Sequence, residues 1–294
     1  MQFKKTILAS SILALLPTFG APMALAQGNP AMLEEVVVTG TRKEGQSPTE
    51  TLSPIDVIGG SALADQPAFD LTDSLTKISP SLNTQRFPIA DGTAFVRPVT
   101  LRNLSPDHTL VLVNGTRRHR SAMVNLQLAP LGTANQGSQG VDFAMFPSAA
   151  IKRVEVLRDG ASAQYGSDAI AGVVNVILKD DSEGFNISAM YGEYDKNGEG
   201  ERTTISANGG LALGEGGFLN LTGEYSSSDT TSTGHPRPDA IFAADFVGKE
   251  NIAYDGFGQR WGDPDIEAYK FFANSGYNIS DTTELYGNAS YAYS

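Results

Sequence analysis

The 294 residues predict a small α/β domain followed by the N-terminal part of an antiparallel transmembrane β-barrel, with about five strands present and the barrel incomplete. Two observations carry this. Composition shifts near residue 180: from Gln27 to Asp180 there are 13 basic and 15 acidic residues, whereas from Asp181 to Ser294 there are 6 and 18, and 17 of the 25 aromatic side chains fall in this second segment. That same segment carries five runs of period-two alternation between apolar and polar residues, which is the signature of strands with two different faces.

The elements follow in order. Lys4 and Lys5 precede a 13-residue apolar run, Ile7 to Phe19, and Ala24-Leu25-Ala26 stands before Gln27; residues 1–26 read as a secretory signal peptide. No later stretch approaches the length of an apolar helical span, so any crossing of a membrane is by strands. Residues 27–50 read as a flexible segment, in which Val36, Val37 and Val38 favour extended backbone while Gly40, Gly45 and Pro48 discourage a local fold. Residues 51–180 read as the α/β domain. Leu71, Leu75 and Ile78 have helical spacing, Asp70 is placed to cap that helix, and Pro80 closes it. Thr109 to Val113 is a strand ending in Asn114-Gly115, a strong hairpin signal. Val154 to Leu157 and Val173 to Leu178 are further strands, joined through Asp159-Gly160 and a short Ala-rich turn; the unbroken apolarity of the last predicts burial on both faces.

Residues 181–294 supply the five alternating runs. Phe185, Ile187, Ala189 and Tyr191 share one face, as do Thr203, Ile205, Ala207, Gly209, Leu211 and Leu213, and then Leu219, Leu221, Gly223 and Tyr225. Tyr269, Phe271, Ala273 and Tyr277 form the fourth, with Phe272 out of place on the polar side, and Leu285, Gly287, Ala289, Tyr291 and Tyr293 the fifth. Runs of about 10 residues ending in Tyr fit tilted barrel strands with an apolar lipid face, a polar lumen and aromatic girdles. A soluble sandwich alternates too, because one face of each sheet is its core. Connection lengths separate the two readings: Asp195 to Gly200 and Gly214 to Gly217 are short, while Ser228 to Asp265 is long, and a bacterial barrel places its longer loops outside.

Chemistry finds few candidates. The chain has no cysteine, which excludes disulfides, thiolate metal sites and thiol nucleophiles. His108, His119 and His235 are scattered without metal-ligand spacing, and neither a G-x-S-x-G nor a phosphate loop is present, so no catalytic residue, metal or cofactor is expected. A net charge of -12 makes nucleic acid an improbable partner despite Arg117-Arg118-His119-Arg120.

Three stretches resemble one family. Glu34-Glu35-Val36-Val37-Val38-Thr39-Gly40 resembles a TonB box. Leu101-Arg102-Asn103-Leu104 with Asp107-His108-Thr109-Leu110-Val111-Leu112-Val113-Asn114-Gly115 is similar to a central motif of the plug domain in TonB-dependent outer-membrane receptors. The run from Ile151 through Glu155-Val156-Leu157-Arg158-Asp159-Gly160 to Gly172-Val173-Val174-Asn175-Val176-Ile177 is similar to that family's most specific signature.

The resemblance implies the rest of the expectations. Glu34 to Gly40 would add a strand to the TonB energy-transducing protein, residues 51–180 would be the plug, and residues 181–294 the first strands of a barrel that in the family has about 22. Glu155, Arg158 and Asp159 are candidates for contacts holding the plug within the lumen. Outward-facing plug loops, by correspondence residues 85–97 and 121–141, would meet the ligand, with Arg86, Phe87, Phe95 and Arg97 as its candidate residues. The second of these loops carries no charge between Ser121 and Gly140, which points away from highly anionic iron chelates and leaves neutral ligands such as oligosaccharides. The expected location is the outer membrane of a Gram-negative bacterium, in contact with its lipid, and the expected function is uptake of an extracellular nutrient. The alternative is a truncated, non-transporting periplasmic protein that binds the transducing partner through its plug.

Overall fold

A computed structural model describes residues 39, 54–84, 95–125, 137–195, 200–231, 262–280 and 282–294, all within the unit Val36–Ser294. The predicted leader, the motif residues Glu34 to Val38 and Gly40, and the candidates Arg86 and Phe87 lie outside the described residues.

The α/β domain is built on a mixed sheet. Its strands are β1 (Ile55–Gly59), β4 (Thr109–Val113), β5 (Thr116–Arg117), β6 (Ile151–Leu157) and β7 (Gly172–Leu178), in the order β1-β6-β7-β4-β5. β7 runs parallel to β4, and the other neighbours are antiparallel. A small ladder of β2 (Leu82–Thr84) and β3 (Val99–Leu101) stands apart. The helices are α1 (Gly60–Ala64), α2 (Leu71–Ile78) and α3 (Ser162–Tyr165). α2 starts where the sequence places it, because the Asp70 carboxylate accepts the Asp73 amide at 2.8 Å and fills an orphan donor of the first turn.

Alternation along the central strands splits the core into two layers. Val111, Val113, Val174 and Val176 join Leu71, Leu75, Phe143, Phe146, Val154 and Val156 on one side of the sheet. Leu110, Leu112, Val173, Leu157 and Ala169 pack on the other. β4 and β7 are therefore buried on both faces, which for β7 is what its apolarity predicts. Gly172 admits no side chain: with φ at +147°, a Cβ there would stand 2.2 Å from the Leu157 carbonyl oxygen.

Beyond Leu178 a second sheet begins. β8 (Phe185–Gly192), β9 (Arg202–Leu213), β10 (Gly217–Ser228), β11 (Ile266–Ser280) and β12 (Thr283–Tyr293) form an antiparallel meander in chain order. The tight turns from Leu213 to Gly217 and from Ser280 to Thr283 share one end, and the longer connections share the other.

Burial in this sheet is inverted relative to a soluble sandwich. The polar side chains Ser206, Asn208, Asn220, Thr222, Glu224, Lys270 and Asn274 are all buried, whereas Phe185, Ile187, Tyr191, Leu211, Leu221, Phe271 and Tyr291 are exposed. The polar face of β9 to β11 rests on the α/β domain, and the apolar face is bare. A water-soluble sheet has no reason to present such a band, while a wall between hydrocarbon and a filled lumen requires it. The sheet is open, and no closed barrel exists among the described residues. Phe272, the exception on the polar side, is explained by its partner: it is 5% exposed and its ring lies 5.6 Å from that of Phe146 in the α/β core.

Candidate functional site

Two regions gather the chemistry-bearing residues: the seam where the α/β domain meets the wall, and a cavity at the wall end that carries the long connections.

At the seam, the turn Asn114-Gly115 does what its sequence allows. Both residues have positive φ, +47° and +77°, and reverse the chain from β4 into β5. The Asn114 side chain then points at the wall, donating from Nδ2 to Asn274 Oδ1 at 3.0 Å and accepting the Leu178 amide at 2.9 Å. Asn274 Nδ2 in turn donates to the Lys179 carbonyl at 2.9 Å. Arg118 reaches Ser290 Oγ on β12 at 2.9 Å and lies 5.4 Å over the Phe146 ring. Among the described residues its guanidinium has no carboxylate partner, and burial pulls its pKa below the usual arginine range. Burial, together with the adjacent Arg118 charge, likewise lowers that of His119.

A buried ion pair reinforces the seam. Lys270 Nζ on β11 lies 2.7 Å from Glu224 Oε1 on β10, their side chains 5% and 4% exposed. The Glu224 carboxylate also accepts the Ser148 amide from a 3-10 turn of the α/β domain. Both residues sit on the polar parity of strands whose other inward residues are uncharged, which is the signal sequence reasoning passed over.

The signature charges are met within the α/β domain. Glu155 is fully buried, but inside the α/β domain: Arg153 Nε meets its Oε1 at 2.8 Å, and the Thr39 amide donates to its Oε2 at 3.0 Å. Arg158 pairs with Asp56 at 3.1 Å, and Asp159 accepts the Gly160 amide at 2.8 Å. Among the described residues none of the three reaches the second sheet: Glu155 lies on β6 between β1 and β7, and Arg158 and Asp159 follow in the turn beyond it. The seam is made by Asn114, Arg118, Phe146 and Lys179 instead.

The ligand candidates lie in the second region. Phe95 is 43% exposed and Arg97 only 6%. They line a cavity of about 90 Å³ with Phe69, Asp70, Arg202, Asp263 and Lys270. Arg97 is held by its backbone, its amide donating to Asp142 Oδ1 at 2.9 Å and its carbonyl accepting the Phe143 amide at 3.0 Å. Burial raises the Asp142 pKa above the usual carboxylate range, against the opposing pull of the Arg97 and Ala144 amides. Arg202 Nη2 meets Asp263 Oδ2 at 2.9 Å, its guanidinium lies 6.0 Å from the Phe69 ring, and among the described residues its buried Nε has no hydrogen-bond partner. Arg202 and Asp263 escaped sequence reasoning because Arg202 opens β9 and Asp263 lies at the far end of the long connection, and they are brought together only because β9 and β11 both pair with β10.

Residues 47–173 match the TonB-dependent receptor plug domain. They are a plug domain of the TonB-dependent receptor family. The chain is 28% identical over 220 residues to the vitamin B12 transporter BtuB of Vibrio cholerae serotype O1, a match covering 74% of this chain and 31% of that protein. Among solved structures, it resembles the ferric enterobactin receptor of Pseudomonas aeruginosa in complex with enterobactin, with a TM-score of 0.57 and 20% identity over 84% of this chain and 33% of that one. The siderophore receptor PirA of Acinetobacter baumannii gives a TM-score of 0.58 at 20% identity, over 83% of this chain and 32% of the other. The chain thus spans about a third of the length of these receptors, and the α/β domain and second sheet are a plug with part of its surrounding wall.

Proposed function

We propose that this chain, exported by residues 1–26, forms the plug (residues 51–180) and the first wall strands (residues 181–294) of an outer-membrane receptor. In this reading the receptor binds an extracellular small molecule and passes it to the periplasm, with energy supplied when TonB engages Glu34 to Gly40. The observation that carries it is the inverted burial of the second sheet, whose apolar face is bare while its polar face clasps the plug. That arrangement suits a wall with lipid outside and cargo inside, and family membership supports the direction of transport.

The cavity beside Phe95 and Arg97 is the proposed ligand subsite. Two of its three cations stand against carboxylates, Arg202 against Asp263 and Lys270 against Glu224, and the third is Arg97. Together with the uncharged stretch from Ser121 to Gly140, this favours a neutral or weakly charged cargo such as an oligosaccharide, for which Phe69 and Phe95 offer stacking faces. The test is uptake of a panel of labelled neutral oligosaccharides, with cyanocobalamin and ferric enterobactin alongside, by cells with and without a working TonB. TonB-dependent uptake of a neutral glycan, lost on Phe95→Ala, supports the proposal. Recovery of the protein in the soluble periplasmic fraction, with no TonB-dependent uptake, refutes it in favour of a non-transporting plug protein.

A further inference from the structure

A chain of hydrogen bonds leads from the TonB-box motif to the wall. Thr39 is 7% exposed. Its hydroxyl donates to Glu155 Oε2 and accepts from Asn175 Nδ2, the latter at 2.9 Å. The other end of that amide, Asn175 Oδ1, accepts the Gly115 amide at 3.1 Å. Gly115 is the second residue of the seam turn, and the first, Asn114, donates to Asn274 of β11 at 3.0 Å. Glu155 and Asn175 are direct cross-strand partners on β6 and β7.

We infer that the Asn114-Gly115 turn couples the motif to the plug-wall seam, so that withdrawal of Thr39 loosens the plug's grip on the wall. The inference rests on the reading of Glu34 to Gly40 as the partner-binding segment. The Thr39 hydroxyl stands between a buried donor and a buried carboxylate. When it leaves, the Asn175 amide loses its acceptor and Glu155 Oε2 loses two donors, an unfavourable state in a buried site. The nearest remedy is for Asn175 to turn its Nδ2 to Glu155 directly. That rotation takes Oδ1 away from the Gly115 amide, and the turn that aims Asn114 at Asn274 loses its internal anchor. Linkage makes the effect reciprocal: weakening the seam weakens the hold on Thr39.

Reciprocity gives the test. The natural chain has no cysteine, so Val37→Cys provides a single thiol whose maleimide labelling in intact outer membranes reports release of the motif without any need for TonB. Thr39→Val should raise the labelling rate about five- to tenfold, the effect of one lost buried hydrogen bond. Asn274→Ala, which touches neither Thr39 nor its partners, should raise it severalfold, and Asn288→Ala, its exposed cross-strand neighbour, should leave it unchanged. Asn114→Gly suits the positive φ of that position and should reproduce Asn274→Ala. The Thr39→Val and Asn274→Ala effects should also fall short of additive when combined.

Labelling that responds to Thr39→Val but to neither Asn274→Ala nor Asn114→Gly overturns the coupling. Labelling unmoved by Thr39→Val overturns the hold on the motif as well. Failure of the partner-binding reading is seen separately, as unchanged crosslinking of Val37→Pro to TonB.

Discussion

Replacing Lys270 by Met isolates what the buried pair does for the seam. At 2.7 Å and an effective dielectric near 20, the attraction between the two charges is about 6 kcal/mol. Most of that is returned as the cost of removing two ions from water. The net value of the intact pair over an apolar substitute is therefore small. Removing one partner is another matter, because Glu224 is then left with the Ser148 amide and, among the described residues, no other ion-pair partner. The expected cost of Lys270→Met is about 3–5 kcal/mol, whereas Lys270→Met combined with Glu224→Leu should fall within about 1–2 kcal/mol of the natural protein. Urea titration of the detergent-solubilised receptor, followed by near-ultraviolet ellipticity, gives both values from midpoint and slope. Should the single variant prove as mild as the double, water reaches the pair and the dry-seam reasoning is refuted.

Three further outcomes are expected. Gly172→Ala forces a methyl against the Leu157 carbonyl oxygen at a backbone conformation that alanine rarely adopts, so the plug should lose about 3 kcal/mol or more, read as a lowered urea midpoint. Burial raises the Asp142 pKa, so the folded protein holds that proton more tightly than the unfolded chain. Relative to Asp142→Asn, the natural protein should lose stability as pH rises from the ordinary carboxylate pKa, near 4, through the raised value. A difference that is flat with pH, or that runs the other way, would falsify the assignment. Val37→Pro removes a backbone donor from the motif and should abolish crosslinking to TonB while leaving the plug's melting unchanged.

Much of the fold was legible because its signals are local. The cap at Asp70, the Asn-Gly turn and the double-sided burial of β7 each follow from a few adjacent residues. The five wall strands follow from period-two alternation. β1 and the β2-β3 ladder were not anticipated: they are three to five residues long, too short to show a period, and β1 pairs with β6 across a large sequence separation. The site was less legible for the same reason. Glu155 was recognised as special, but its partners Thr39 and Asn175 come from remote segments, so its inward role inside the plug could not be read from its neighbours. Phe272 was visible as an exception to alternation. What it answers to, the Phe146 ring, is contributed by another domain.

The order β1-β6-β7-β4-β5 also dictates when the plug can exist. Its central strand is the last one synthesised, and β4 must wait through a long crossover for the parallel neighbour that covers its edge. Until Gly172 to Leu178 has been made, β6 and β4 have nothing to join them, and such non-local closure is slow. The α/β domain therefore closes only after its last strand has been made, just ahead of the first strand of the second sheet.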